Sequence, residues 1–135
     1  MNARTSFLAR LIGLYCIVVS VALLVRPEPL MASIAALAHD PPALLVIEVV
    51  GLVAGLAMVL GHNVWSGGAL PVVVTLIGWW ALIKSALGLF LPATAMTALF
   101  EASRNRGLYR LSSIVTLIIG AYLIYGSLPR RRPRR

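Results

Sequence analysis

Two charged side chains stand where a lipid bilayer would be least hospitable to them. Glu48 lies in the apolar run 43–61 and Lys84 in the apolar run 70–91, and these are the only acidic and basic residues well inside such runs. A charge at the bilayer centre costs about 2.5–3.5 kcal/mol on insertion scales, so it needs a partner or a site. At about 1.5 Å per helical residue, Glu48 lies about 9 Å inside Pro42 and Lys84 about 12 Å inside Pro92, measured from the same membrane face. The common depth fits two kinds of chemistry. One is a polar site in which Glu48 accepts a proton or cation and Lys84 is its partner. The plainer one is a structural ion pair, or a lysine whose long stem carries its ammonium out to the interface. Glu48 is spaced three, four and seven residues from Gly51, Leu52 and Gly55, which turns it toward packed helices. Lys84 shares a face with Trp80, Ala81 and Gly88.

A second cluster, His62, Asn63 and Trp65, falls in the glycine-rich stretch 61–68. It reads either as a contact turn for a ligand or partner, or as a turn with an aromatic interfacial anchor. Metal binding is not expected, because His39 and His62 belong to opposite membrane faces and no cluster has ligand spacing. No serine stands in a nucleophile motif, so no hydrolytic chemistry is expected either. Tyr15, Trp79, Trp80, Tyr109, Tyr122 and Tyr125 read as packing or belt residues, and no haem, quinone or other cofactor is expected.

The elements that must position these residues follow from hydropathy. The 135 residues are 60% hydrophobic and 12% charged, too apolar for a water-soluble domain. Four apolar runs, 7–25, 43–61, 70–91 and 108–128, are each long enough to cross about 30 Å of hydrocarbon, and backbone groups in lipid must bond internally, as in helices. Arg4, Arg10 and the small residues Ala36 and Ala38 imitate a secretory signal, but the first run is read as a span because cleavage would remove the counterpart of the third. Cys16 is a single cysteine inside an apolar helix, a packing residue.

Laid without a gap over residues 76–126, residues 11–61 match at eleven of 51 positions. The matches include Gly13 with Gly78, Ser20 with Ser85, Pro27 with Pro92, Met31 with Met96, Gly55 with Gly120 and Gly61 with Gly126. Each half reads as span, proline, short amphipathic segment, span. The short segments carry Met31, Ile34, Ala35 and Ala38, and Met96, Leu99, Phe100 and Ala102, at helical spacing, and are expected to lie flat at the outer interface. A unit that crosses twice returns to its starting side, so the halves, 11–61 and 76–126, are expected to be parallel repeats within one membrane domain. In this register Glu48 faces Ser113 and Lys84 faces Val19, so the charges break the symmetry.

The formal net charge is +8, and the tail 129–135 concentrates it in Arg130, Arg131, Arg132, Arg134 and Arg135. Arginines beside a span hold that end in the cytoplasm and attract anionic headgroups, at about 1 kcal/mol each near the surface. Both termini are therefore expected inside, with Arg26, Arg104, Arg106 and Arg110 outside. Nucleic acid is not an expected partner, since no aromatic or folded reader accompanies the tail.

Gly61-His62-Asn63-Val64-Trp65, with Val74-Thr75-Leu76-Ile77-Gly78-Trp79 and Leu82-Ile83-Lys84, resembles a group of small bacterial four-helix inner-membrane proteins of uncharacterised function. The resemblance covers about a quarter of the chain tightly and implies an inner-membrane location, without implying an activity. In that group glycine follows the lysine; here Ser85 stands there, one small residue for another. Small multidrug exporters also have four helices and one membrane glutamate, but theirs lies in the first helix, whereas Glu48 is in the second.

The sequence therefore predicts an all-α membrane protein of four transmembrane helices, arranged as two parallel two-helix repeats with short interfacial helices. The expected role is non-enzymatic, an accessory or scaffold subunit of a membrane complex, with a homo-oligomer or a larger membrane protein as partner. The alternative is a small oligomeric transporter or channel using Glu48 and Lys84. A lipid-directed enzyme would need Asp40, Glu101 and Arg104 to converge.

Overall fold

A computed structural model describes residues 3–103 and 105–128. Arg104 and the basic tail with Arg130, Arg131, Arg132, Arg134 and Arg135 lie outside the described residues. Six helices follow one another: α1 (Ala3–Val25), α2 (Pro27–Ala38), α3 (Pro41–Gly61), α4 (Ala69–Phe90), α5 (Ala93–Ser103) and α6 (Arg106–Ser127). There is no strand among the described residues. Four of the helices, α1, α3, α4 and α6, are long and apolar enough to cross a bilayer, and the chain is a multi-pass membrane protein.

Proline sets the breaks. Pro27 opens α2 directly after α1, where its fixed φ suits a first helical turn and its missing N–H costs nothing. Pro41 and Pro42 open α3, and Asp40 caps it by accepting a 3.2 Å hydrogen bond from the Ala43 N–H. Asn105 does the same for α6, accepting from Gly107 N–H at 2.9 Å. Gly67 and Gly68, with φ of +91° and +115°, turn the chain into α4. α1 begins nearer the amino terminus than the apolar run does, because one helix carries Arg4 and Arg10 along with it.

The spans associate as two close pairs, α1 with α6 and α3 with α4, with lighter contacts of α1 and α6 to α4. α2 touches α1, α3 and α5. The pairs join through a core of Ala9, Leu70, Val74 and Leu123, flanked by Leu8, Ile12, Met58, Val73, Ile77 and Ile119. This core sits at the end of the bundle that holds the α3–α4 turn; α2 and α5 lie at the other end. Most large apolar side chains point outward, as lipid demands: Phe90 and Leu60 are 89% and 83% exposed.

Small residues let each pair approach closely, since lipid tails are as apolar as leucine and packing must supply the attraction. A Cβ on Gly55 would stand 2.6 Å from the Leu82 backbone nitrogen, and one on Gly120 would stand 2.9 Å from the Gly13 carbonyl oxygen and 3.0 Å from Ile17. In the register that matches 11–61 with 76–126, Gly55 corresponds to Gly120 and Leu82 to Ile17. The two pairs thus meet at corresponding positions.

Candidate functional site

Glu48 comes from the second turn and a half of α3, and Lys84 from the carboxyl-terminal part of α4. The close approach of these helices brings them together: the Lys84 ammonium donates to Glu48 Oε1 at 2.8 Å and to Oε2 at 3.0 Å. The Glu48 side chain is 4% exposed and that of Lys84 49%. Gly88, one turn beyond Lys84, makes the space; a Cβ there would lie 2.5 Å from the Glu48 carboxyl carbon. A cavity of about 160 Å³ borders Glu48, walled by Pro41, Leu44, Leu89 and Met96 among others. Among the described residues its walls add no further acid or base. The lysine covers both oxygens of the carboxylate, so the site is a closed charge-assisted link between two helices. Binding another cation there would require displacing the ammonium.

The turn holds His62 inward and Asn63 and Trp65 outward, so of the three residues only the latter two stand where a contact turn would need them. His62 is 4% exposed, with Nε2 3.4 Å from the Pro71 carbonyl oxygen, so its ring is not offered to a partner. Asn63 and Trp65 remain exposed but are tied locally: Asn63 Oδ1 accepts from Trp65 Nε1 at 2.7 Å and from Trp79 Nε1 at 3.4 Å. Thr75 completes the lock. Its buried hydroxyl donates to the Val64 carbonyl at 3.0 Å and accepts from the Val64 N–H at 3.1 Å. A lone hydroxyl in an apolar run was the signal for Thr75, but its partner eleven residues away had none.

At the opposite end, His39 Nε2 lies 3.7 Å from Glu101 Oε1, linking the end of α2 to α5. Asp40 is engaged as a helix cap. The described residues contain no group of three or more His, Cys, Asp or Glu side chains able to hold a metal ion. Sequence reading also missed two ties between α1 and α6: the Arg10 guanidinium donates to the Ser127 carbonyl at 3.2 Å, and the Tyr109 hydroxyl donates to the Leu23 carbonyl at 2.9 Å.

Comparison of the chain with protein-family models, with curated proteins and with solved structures finds no match.

Proposed function

We propose that this chain is a non-enzymatic accessory or scaffold subunit of a membrane complex, built from a duplicated two-helix unit. The observation that carries the reading is the closed Glu48–Lys84 pair, in which both carboxylate oxygens are held by one ammonium and the charges join α3 to α4. A polar link of this kind fixes which helices pair and in what register, while the outer faces of the spans remain apolar for lipid or for a partner's helices. The duplication rests on the eleven identities and on the corresponding approaches at Gly55 and Gly120. The location is a bacterial inner membrane with both termini in the cytoplasm, supported by the arginines at 130–135 and by the resemblance of residues 61–92. Partners are anionic headgroups for the tail, and a second copy or a larger membrane protein for the spans.

The second reading, an oligomeric transporter or channel, draws on the half-exposed Lys84 and the 160 Å³ cavity beside Glu48. Proton and monovalent-cation flux into liposomes holding wild type or Glu48→Gln decides between them. The scaffold reading expects no flux from correctly inserted protein and a partner that co-purifies with it. Flux abolished by Glu48→Gln assigns the chain to transport.

A further inference from the structure

Thr116 keeps the α1–α6 pair from closing as the α3–α4 pair does. In the α3–α4 pair Gly51 faces Ser85, and a Cβ on Gly51 would collide with the Ser85 hydroxyl oxygen. In the register that matches the two halves, Thr116 stands for Gly51 and Ser20 for Ser85. A branched side chain therefore occupies the α1–α6 pair at the point where the other pair has only a glycine hydrogen. Beside it lies a groove of about 320 Å³ between α1, α2 and α6, lined by Val19, Leu23, Ile34 and Leu108 and so chiefly apolar. Further along the spans, away from α2, α1 and α6 come together again at Gly13 and Gly120.

One polar atom in this groove is out of place. Ser20 lines the groove and is 1% exposed, and its Oγ has no hydrogen-bond partner among the described residues. The other groove hydroxyls show the usual solution: Ser112, Ser113 and Thr116 each donate to a carbonyl three or four residues back. A hydroxyl sealed in apolar surroundings without an acceptor is costly, and a ligand oxygen would relieve it. The groove therefore suits a ligand that is apolar along most of its length and carries a hydrogen-bond acceptor. Ser20 lies five residues, about 8 Å, from Val25 at the end of α1. With its 23 residues centred in about 30 Å of hydrocarbon, α1 places Ser20 about 6 Å beneath the hydrocarbon edge. The acceptor that a bilayer lipid carries nearest this depth is the carbonyl of an acyl ester.

We propose that this groove binds one glycerolipid through an acyl ester, the Ser20 hydroxyl donating to the ester carbonyl and the chain lying against Val19 and Leu23. Recognition is of the ester and takes nothing from the headgroup. The volume falls in the range of about 300–1,000 Å³ common to small-molecule sites, whereas a partner's helix, about 10 Å across, is too wide for it. The charged half offers no equivalent, because Ser85 is packed against Gly51 there, so one lipid per chain is expected. Binding of this kind needs only that the chain lie in a bilayer, and it is independent of the scaffold reading.

The test is native mass spectrometry of the full chain in detergent, titrated with two lipids that share a headgroup and differ in linkage. One is diacyl phosphatidylcholine, with ester carbonyls; the other is dialkyl phosphatidylcholine, whose ether oxygens are weaker acceptors. Wild type is expected to retain one diacyl lipid and to bind the dialkyl lipid about fivefold more weakly, the effect of one neutral hydrogen bond. Ser20→Ala loses only an unpartnered hydroxyl, so it should fold, and it is expected to bind the two lipids equally. Ser113→Ala removes a groove hydroxyl already spent on the Tyr109 carbonyl and is expected to keep the preference. Equal affinity of wild type for the two linkages, a preference that survives Ser20→Ala, or a second copy of the chain retained in place of lipid overturns the proposal.

Discussion

Removing the ammonium of Lys84 while keeping its stem should reveal what the ion pair contributes. Lys84→Met leaves the Glu48 side chain, 4% exposed, with no counter-charge among the described residues, where its two oxygens have only Lys84 Nζ within hydrogen-bond reach at 2.8 and 3.0 Å. Breaking a buried pair by deleting one partner costs about 3–5 kcal/mol. The half-exposed lysine side chain means that headgroups and water screen part of the interaction, which places the expected loss at the lower end, about 3 kcal/mol. The double change Glu48→Gln with Lys84→Met removes the stranded charge and leaves one buried amide short of a partner, a cost of about 1 kcal/mol. The two variants should therefore differ by about 2 kcal/mol, with the double more stable than the single, which is about thirtyfold in the unfolding constant. Sodium dodecyl sulfate titration in mixed micelles, followed by helical circular dichroism, measures this. Equal stability of the single and double variants would refute the pairing as a structural link.

Three further outcomes follow from the geometry. Gly55→Val puts a branched side chain where a Cβ already lies 2.6 Å from the Leu82 nitrogen, so α3 and α4 must separate at a cost of about 1–3 kcal/mol in the same titration, whereas Gly61→Ala, with open space around it, should be near neutral. Gly88→Ala forces the Glu48 carboxyl carbon from a 2.5 Å approach; once the carboxylate has been moved off the ammonium, a subsequent Lys84→Met should cost less than it does in wild type. Thr75→Val deletes both hydrogen bonds to Val64 and should open residues 62–68 to protease well before the spans unfold, with about 1–3 kcal/mol lost locally.

The spans were legible because apolar runs of this length have few other uses, and proline marks the helix breaks whatever the tertiary context. Glu48 and Lys84 announced themselves for a related reason: a charge inside an apolar run is conspicuous, and equal depth from the same membrane face made a meeting plausible before any contact was visible. The pairing of α1 with α6 was not legible, since no local rule tells a helix which distant neighbour it will pack against. The burial of His62 was not legible, because a histidine in a glycine-rich turn looks exposed until Pro71 and Thr75 are brought against the turn. The unpartnered hydroxyl of Ser20 was beyond sequence reasoning altogether: that it lacks the carbonyl bond which Ser112, Ser113 and Thr116 make depends on side-chain orientation, and an isolated serine in a span looks the same either way.

The partnering of the spans also bears on how the protein is made. α3 and α4 are joined by a short turn and can pack as soon as both have left the insertion machinery, a local contact of the kind that forms quickly. α1 has no such neighbour; its principal partner is α6, 86 residues on at the Tyr109–Leu23 tie. The first span to enter the bilayer therefore waits beside a finished α3–α4 hairpin, held by little more than α2 and a light touch on α4, until the last span arrives. A nascent chain halted after α5 would expose the Gly13 face of α1 to any helix in the membrane able to fit it.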